Sequence, residues 1–262
     1  MLKSKLLTIA ISLSIIFLIS NCSDTGVSPN NIESNKKLTK IISGSNDYTS
    51  FYYSNGKLSN FEKMYGSQVL NSSTLYYDSL GDLQSEIYHT QSLDYLYRYY
   101  YDSSFKRDST DVSVIDSALS DGPFMRSKYC YNSINQLVKV EEYSIWKGNV
   151  NKKLSYTEYK YDDSGNVIEE RTYIANVLST IMTMAYDNKI NPYRNMKDNI
   201  HFEQSLSKNN MTNLKVIYSD NTGNMEIKYT YYYDGFGYPI YKETEGVNSS
   251  NVKTVEERYE YQ

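Results

Sequence analysis

The sequence has few of the residues on which catalysis and metal binding most often depend. Its 262 residues include two cysteines, two histidines, one tryptophan and four prolines. Cys22 and Cys130 cannot form a disulfide framework or a cysteine-rich metal cluster. Because His89 and His201 are the only histidines, a zinc site or a serine-histidine-aspartate triad is disfavoured. We therefore expect that the protein is not an enzyme and carries no metal or cofactor.

Charge and backbone-breaking residues exclude further classes. The formal charge is −4 and charged residues make up 22% of the chain, which fits neither a polybasic nucleic-acid binder nor an acidic disordered tail. We expect no nucleic-acid partner. The 12 glycines and four prolines exclude collagen-like and proline-rich chains. What the sequence has in abundance is tyrosine, with 30 residues against 7 phenylalanines.

The first residues predict an export signal. Lys3 and Lys5 form a short positive region, and an apolar stretch runs from Leu6 to Ile19. This stretch is shorter than the span of about 20 residues that a membrane helix needs, but it has the length of a signal-peptide core.

The segment at 19–22, Ile-Ser-Asn-Cys, resembles a bacterial lipobox, in which an aliphatic and a small residue precede the cysteine. The resemblance implies that Cys22 carries a diacylglycerol and that the chain is cut before it. Two acyl chains hold a protein stably to a bilayer. The alternative is an uncleaved anchor or ordinary secretion, with Cys22 as a free thiol. We divide the chain into a lipoprotein signal peptide (1–21), a flexible tether (22–37) and a single β domain (38–262).

A tyrosine motif repeats along the β domain. Tyrosine or phenylalanine, any residue, tyrosine, and then aspartate, asparagine or serine recur at steps of 24, 24, 30 and 30 residues from Tyr53 through Tyr77, Tyr101 and Tyr131 to Tyr161. Periods of this length are typical of repeat architectures.

Each unit predicts a β-hairpin. Tyrosines at i and i+2 share one face of a strand, and the following aspartate or asparagine opens a turn. Glycine or asparagine three residues later suits the left-handed position that closes a type I turn with a bulge. We expect on the order of 13 to 16 strands. The predicted fold is an all-β antiparallel meander of hairpins, rolled into an open barrel or a curved sheet that sits in water.

Two segments interrupt the repeat. Asp108 to Arg126 is polar and predicts an extended hairpin tip or a loop. Tyr186 to Asn210 is longer than a hairpin turn, and the stretch from Met196 to Leu206 is the one candidate for a helical turn. Long connections are often functional or docking elements. The alternative is a plug or cap that covers apolar surface.

The repeats resemble known families. YKYDDSGNVIEERTY (159–173) and YTYYYDGFGYPIYKETE (229–245) are similar to the tyrosine-aspartate repeats of Rhs and teneurin-type shells. Together with the lipobox, YDNKINPY (186–193) and SKNN (207–210) resemble a family of Bacteroidetes lipoproteins whose domain of unknown function has a porin-like fold. The resemblance covers 38–262 and implies a rolled antiparallel sheet on the cell envelope. It supplies no activity and no binding residues.

The two faces of the predicted strands differ in chemistry. One face of a single strand carries Tyr95, Tyr97, Tyr99 and Tyr101, and the other carries Leu96, Arg98, Tyr100 and Asp102. A charged side chain facing lipid costs about 2–4 kcal/mol at the bilayer midplane, and acids cost less. "Porin-like" is therefore expected to describe the shape, with the sheet in water.

The tyrosine ladder has two interpretations. Its rings either pack across strands on the inner face or form an exposed platform for sugar rings. Trp146, at a predicted hairpin tip, is either a binding residue or a packing residue. Tyr95, Tyr97, Tyr99, Tyr101 and Trp146 are thus the candidate ligand-binding residues, and Cys22 is the candidate lipidation site.

The sequence therefore predicts a non-catalytic protein of the cell envelope, anchored by lipid to the periplasmic or surface face of the outer membrane. Its expected role is structural or protein-interacting, with the membrane and a protein as partners. The alternative is a glycan-binding surface lipoprotein that uses exposed tyrosine and tryptophan rings.

Overall fold

Sixteen antiparallel strands, each hydrogen-bonded to its neighbours in chain order, close into a barrel. The computed structural model describes residues 36–115, 122–146, 148–196, 203–220, 223–248 and 251–262. The predicted signal peptide and the predicted tether as far as residue 35, including Cys22, lie outside the described residues. Within these residues the prediction of an all-β antiparallel meander is confirmed.

The elements follow the chain in a simple order. The strands are β1 (Leu38–Ser43), β2 (Asp47–Ser54), β3 (Lys57–Tyr65), β4 (Gln68–Tyr77), β5 (Leu83–Thr90), β6 (Asp94–Tyr101), β7 (Arg107–Val114), β8 (Met125–Tyr131), β9 (Leu137–Trp146), β10 (Asn149–Tyr161), β11 (Val167–Ile174), β12 (Val177–Tyr186), β13 (Met211–Tyr218), β14 (Met225–Tyr233), β15 (Pro239–Asn248) and β16 (Asn251–Tyr261). Two 3₁₀ helices, η1 (Pro192–Met196) and η2 (Glu203–Leu206), lie between β12 and β13.

The barrel has two rims with different connections. At one rim β1 begins and every even-numbered strand ends, so the turns after Tyr53, Tyr77, Tyr101, Tyr131, Tyr161 and Tyr233 gather there, while the turn after Tyr218 follows β13 and lies at the other rim. We call the first of these the Tyr-Asp rim; it comprises the connections 55–56, 78–82, 102–106, 132–136, 162–166, 187–210 and 234–238. The connections after odd-numbered strands form the opposite rim.

Closure of the barrel corrects one expectation. An open barrel or curved sheet was expected, but β1 pairs with both β2 and β16. Leu38 lies opposite Tyr261 and Ile41 lies opposite Tyr259, so the first and last strands share a buried inner face. Closing the sheet removes two edges of unpaired backbone groups. Local patterns did not predict this because the pairing joins the two ends of the domain.

The repeated turns adopt the predicted geometry. After β4, the Asp78 Oδ1 atom accepts the N–H groups of Leu80 and Asp82, both at 2.9 Å. Gly81 has a φ of 87°, and a register shift next to Tyr77 marks the bulge. Equivalent side-chain caps follow Asp102, Asn132, Asp162 and Asp234. The prediction of a turn opened by aspartate or asparagine and closed by a left-handed residue is confirmed.

The segment Asp108–Arg126 corrects part of a second expectation, because about half of it is strand. It contains β7 from Asp108 onwards and the start of β8, joined by the connection 115–124, of which 116–121 lie outside the described residues. Its polarity has a physical reason: the Arg126 guanidinium binds the Asp111 carboxylate across the outer face, with Nε–Oδ1 at 2.6 Å. A strand whose outer face is polar has few apolar residues by which it can be recognised in the sequence.

The apolar core lies on one side of the barrel interior. Its buried members come from β1 to β6, from β16 and from η1: Leu38, Ile41, Phe51, Leu58, Phe61, Leu75, Leu83, Tyr99, Tyr259 and Met196. Tyr193 of η1 packs against them. The interior along the remaining strands is filled less completely and contains the cavities described below.

The outer wall carries charged side chains that pair across strands. Lys160 of β10 contacts Glu169 of β11 at 2.7 Å, and Lys139 of β9 contacts Glu158 of β10 at 3.8 Å as well as Glu141 on its own strand at 3.2 Å. Tyr156 and Tyr173 stack on the same wall with ring centroids 4.4 Å apart. Within the described part of the chain, no helix is long and apolar enough to cross a membrane.

Candidate functional site in the barrel interior

The predicted tyrosine ladder of β6 lies on the inner face of the barrel. Tyr99 is buried in the core, where only 5% of its surface is exposed, and Tyr97 and Tyr101 are partly buried against it. Tyr95 lies on the same face by strand alternation. The structure therefore supports the first interpretation. These rings lie on the inner face of the barrel and do not form an external platform.

A second tyrosine pattern, which the sequence analysis missed, runs around the Tyr-Asp rim. The last tyrosine of a strand donates its hydroxyl to the carbonyl of a residue near the start of the preceding strand. The pairs are Tyr53–Leu38 (2.8 Å), Tyr77–Leu58 (2.7 Å), Tyr101–Leu83 (2.8 Å), Tyr161–Leu137 (2.8 Å), Tyr186–Val167 (2.6 Å) and Tyr261–Pro239 (2.7 Å). The signal that could have revealed them is the order of residues: an apolar residue lies at or near the start of one strand and a tyrosine ends the next, although the separation varies from 15 to 24 residues.

The bulges explain why these carbonyls need a partner. Five of the six accepting residues sit at a register shift of their own hairpin, and Leu38 sits at one in the pairing of β1 with β16; at each shift the ladder of backbone hydrogen bonds is interrupted. An unpaired buried carbonyl costs free energy. Burial raises the pKa of Tyr186 to about 12, so this phenol stays protonated and remains a donor.

A buried carboxylate links three strands of the interior. Glu86 of β5 has no exposed surface, and its Oε2 atom accepts a hydrogen bond of 2.6 Å from the Tyr99 hydroxyl. The Ser73 hydroxyl donates to its other oxygen. The Arg107 guanidinium lies 4.5 Å from the centroid of the Tyr99 ring. Since a buried carboxyl group is costly without hydrogen-bond partners, these two hydroxyls are what Glu86 needs in the interior, and they join β4, β5 and β6.

The larger cavity, of about 820 Å³, runs along β5 to β11. Phenol rings from successive strands alternate on its wall with small hydroxyl side chains: Tyr97, Tyr101, Tyr129, Tyr131, Tyr159 and Tyr161 with Thr110, Ser127, Ser155, Thr157 and Thr172. Glu142 and Arg107 add one carboxylate and one guanidinium. Burial raises the pKa of Tyr97 and that of Tyr131, each to about 12, so these rings are neutral.

A smaller cavity, of about 470 Å³, lies along β11 to β16. Met182, Met184 and Tyr231 contribute its apolar wall, and Glu170 and Lys242 contribute its charged groups. Both 3₁₀ helices touch a cavity, since Tyr193 of η1 and Gln204 of η2 border this one and Ser205 and Leu206 of η2 border the larger one.

The connection 187–210 packs into the barrel at the Tyr-Asp rim. Met196 is buried in the core, and Asn191 donates to the carbonyls of Gln204 (2.7 Å) and Ser207 (2.8 Å). Ser207 in turn bonds to the Tyr186 hydroxyl at 2.9 Å. Of the two predicted roles, the structure supports the plug or cap. The candidate helical turn at 196–206 is two 3₁₀ helices at its ends, and 197–202 lie outside the described residues.

The remaining candidate residues are not brought to this cavity wall. Trp146 ends β9 at the opposite rim, where it pairs with Asn149, and it lies three strands away from the β6 ladder. Cys130 is an exposed free thiol on the outer face. His89 pairs with Asp94 at 2.9 Å. Among the described residues, no three His, Cys, Asp or Glu side chains are grouped so that they could hold a metal ion.

Known structures share this architecture. The crystal structure of a porin-like protein from Bacteroides uniformis ATCC 8492 matches with a TM-score of 0.57 and 12% identity, over 86% of this chain and 96% of that one. A porin-like protein from Bacteroides vulgatus ATCC 8482 matches with a TM-score of 0.54 and 12% identity, over 87% and 99%. No family model and no curated protein matches the sequence. The likeness supports the expected porin-like fold alone and gives no support to a tyrosine-aspartate repeat family.

Proposed function

We propose that the protein is a non-catalytic, lipid-anchored component of the cell envelope, held at the outer membrane by a diacylglycerol on Cys22, with a structural or protein-interaction role. The observation that carries this proposal is the charged outer wall. Lys139, Glu141, Lys160 and Glu169 pair along β9, β10 and β11. A lipid-facing barrel presents an apolar band there, and a charge within it costs about 2–4 kcal/mol. The outer wall is suited to contact with water, so the diacylglycerol on Cys22 provides the attachment to the membrane.

The interior supports a non-catalytic role. The strand-end hydroxyls, such as that of Tyr77, are used as donors to backbone carbonyls. Glu86 is bound by Tyr99 and Ser73, so its carboxylate is committed to the packing of three strands. Groups that are fully used in holding the fold are poorly suited to proton transfer or nucleophilic attack.

The anchor is tested by fractionation of cells that express the full chain. Wild-type protein is expected in the membrane fraction after a carbonate wash and in the detergent extract, labelled by fatty acid. The Cys22→Ser variant is expected in the aqueous fraction without label. Cys130→Ser is the matched control, because it removes the other thiol and leaves the lipobox intact. A Cys22→Ser protein that stays in carbonate-washed membranes contradicts the proposal.

The larger cavity favours saccharide binding as a second function. Its volume of about 820 Å³ lies within the range of about 300–1,000 Å³ found for ligand pockets. Phenol rings can stack on the C–H faces of sugars, and neighbouring hydroxyls such as those of Ser155 and Thr157 can hydrogen-bond to sugar hydroxyls. This differs from the expected external platform, because the rings of the β6 ladder face inwards.

Calorimetric titration with a panel of soluble oligosaccharides at millimolar concentration tests this function. Thr157→Trp fills the cavity and is expected to abolish any response. Glu158→Trp, on the outer face of the same strand, is the control and is expected to bind like the wild type. The absence of a response from wild-type protein to every saccharide excludes this second function and leaves the anchor proposal intact.

A further inference from the structure

Four turns of the Tyr-Asp rim present a large apolar side chain to solvent. Leu80 is 75% exposed, Phe105 68%, Ile134 71% and Phe236 61%. Each lies two or three residues after the aspartate or asparagine that opens its turn. Apolar side chains that gather at one end of a molecule indicate a surface whose neighbour is not water.

One of these four residues, Phe105, has a strained backbone conformation. Phe105 has a φ of 58°, whereas the equivalent positions of three other turns hold Gly81, Asn135 and Gly165. Glycine and asparagine adopt left-handed conformations readily, and a bulky aromatic residue does not. Strain of this kind is typical of residues that serve a function. The position therefore points to a use for an aromatic ring at this tip.

The backbone at these tips is already satisfied without water. The N–H of Leu80 donates to Asp78 Oδ1 at 2.9 Å, and the N–H of Phe236 donates to Asp234 Oδ1 at 2.9 Å. The Phe105 N–H donates to the Asp102 carbonyl at 3.0 Å. A turn whose N–H groups are internally bonded can enter a less polar environment at a lower cost.

The opposite rim differs in its turn residues. Its short connections are small or polar apart from one half-buried leucine: 44–46 is Gly-Ser-Asn, 66–67 is Gly-Ser, 91–93 is Gln-Ser-Leu and 175–176 is Ala-Asn. Exposed apolar side chains occur near this rim too: Ile174 and Val177 belong to the strands that flank a turn, and Ile115 (41%) and Phe124 (44%) stand at the two ends of the connection 115–124. Among the described residues, what distinguishes the Tyr-Asp rim is that an apolar side chain recurs at nearly the same place in several of its turns.

The chain also enters the barrel at the Tyr-Asp rim. The Lys37 N–H donates to the Gln262 carbonyl at 3.1 Å, which fixes the start of the domain beside its end. The Lys36 ammonium lies 4.9 Å from the centroid of the Phe236 ring, so the residue before β1 touches one of the tips. The 15 peptide links from Cys22 to Lys37 span at most about 54 Å. A lipid on Cys22 thus keeps the point where the chain enters this rim within that distance of the membrane.

We propose that the Tyr-Asp rim docks on the lipid bilayer, with the side chains of Leu80, Phe105, Ile134 and Phe236 in the interfacial region. The inference rests on the proposed lipid anchor at Cys22. Apolar side chains that enter the headgroup boundary add to the hold of an acyl anchor. Docking by this rim sets the barrel axis along the membrane normal. The opposite rim, where β9 ends at Trp146, then faces away from the bilayer.

The test uses the lipidated full-length protein in vesicles of phosphatidylethanolamine and phosphatidylglycerol. Phe236→Cys in a Cys130→Ser background is labelled with an environment-sensitive NBD fluorophore. Val177→Cys in the same background is the matched control, because Val177 is 68% exposed and lies at the opposite rim. Flotation of the vesicles reports attachment independently of the label.

The Phe236→Cys label is expected to show a blue-shifted emission and to lose intensity when the vesicles contain a doxyl-labelled lipid, while the Val177→Cys label keeps its aqueous spectrum. If the protein floats with the vesicles and both labels keep aqueous spectra, rim docking is wrong and the anchor proposal stands. If both labels are quenched equally, a specific orientation is wrong. If the protein does not float, the anchor and the docking that depends on it both fail.

Discussion

The hydroxyl of Tyr77 donates a hydrogen bond of 2.7 Å to the backbone carbonyl of Leu58 on the neighbouring strand. Leu58 is itself opposite Tyr53, and Tyr53 donates to Leu38 in the same way. Six strand-end tyrosines follow this pattern, each donating to the carbonyl of a residue at a bulge, whereas Tyr233 donates to Asp187. This explains why the repeat carries tyrosine and not phenylalanine at the end of the strand.

Tyr77→Phe is expected to destabilise the barrel, because the Leu58 carbonyl loses its partner at a bulge. An unsatisfied buried acceptor costs about 1–3 kcal/mol in the free energy of unfolding, so a clear fall in the urea midpoint is expected. Tyr76→Phe is the control, since Tyr76 is exposed on the outer face, and its midpoint should not change. Equal midpoints for both variants would show that the hydrogen bond makes no net contribution.

The aspartates that open the turns make the free energy of unfolding depend on pH in the acid range. The N–H groups of Lys106 and Ser104 donate to the Asp102 carboxylate at 3.0 and 2.8 Å, and these bonds lower the pKa of Asp102 below its usual range. A carboxyl group whose pKa is lower in the folded state stabilises it above the pKa of the unfolded chain, about 4. This contribution is lost as the pH falls through the folded-state pKa.

Asp102→Asn tests that expectation with a substitution that the chain already uses. Asn132 opens its own turn and accepts the N–H groups of Ile134 (3.1 Å) and Gln136 (2.9 Å) with a neutral amide oxygen. The variant should therefore keep the turn and show a smaller loss of stability between pH 5 and pH 2 in urea titrations. An unchanged acid profile would mean that the Asp102 carboxylate does not contribute.

The plug is expected to loosen when its contact with the wall is removed. The Ser207 hydroxyl accepts the N–H of Val167 at 3.1 Å and bonds to the Tyr186 hydroxyl at 2.9 Å. Ser207→Ala should cost about 1 kcal/mol and speed amide exchange at Val167 and across 187–210, as read by hydrogen-exchange mass spectrometry. Ser164→Ala, in an exposed turn, is the control. Exchange that stays slow in Ser207→Ala would show that other contacts hold the plug.

The turns could be predicted from sequence because their signals are local. Asp78 and Gly81 are three residues apart, and both the cap and the left-handed position follow from that spacing. Closure could not be predicted, because the pairing of Leu38 with Tyr261 joins the ends of the domain and no local pattern specifies it. The tyrosine ladder predicted a shared face but not whether that face points inwards, which depends on the curvature of the whole sheet.

The cavity, the strand β7 and the packing contacts of the plug could not be predicted from sequence, although a plug or cap was one of the two roles expected for this connection. The strand β7 was missed because its outer residues, such as Asp111, are polar and paired across the wall. The burial of Met196 depends on where the connection 187–210 folds back, and this is set by hydrogen bonds of Asn191 and Ser207 that no spacing rule predicts. The cavity itself is the space that remains after the core has gathered on one side.

At the left-handed position of the Tyr-Asp turns, replacing a glycine and introducing a glycine are expected to have opposite effects on stability. Gly165 has a φ of 88° with open space around it, so Gly165→Ala meets no clash and costs only the backbone strain, about 1–2 kcal/mol. Phe105 occupies the same place in its turn with a φ of 58°, so Phe105→Gly should relieve strain and stabilise the barrel by up to about 1 kcal/mol. Gly165→Asn is the control, because Asn135 already holds this position at a φ of 66°.

Urea unfolding of the three variants should order their stabilities with Phe105→Gly above wild type, Gly165→Asn slightly below it and Gly165→Ala lowest. Phe105 also borders the larger cavity, so a Phe105→Gly protein that is less stable than wild type would mean that contacts of the ring outweigh the strain, and the strained backbone would then be no argument for a membrane role.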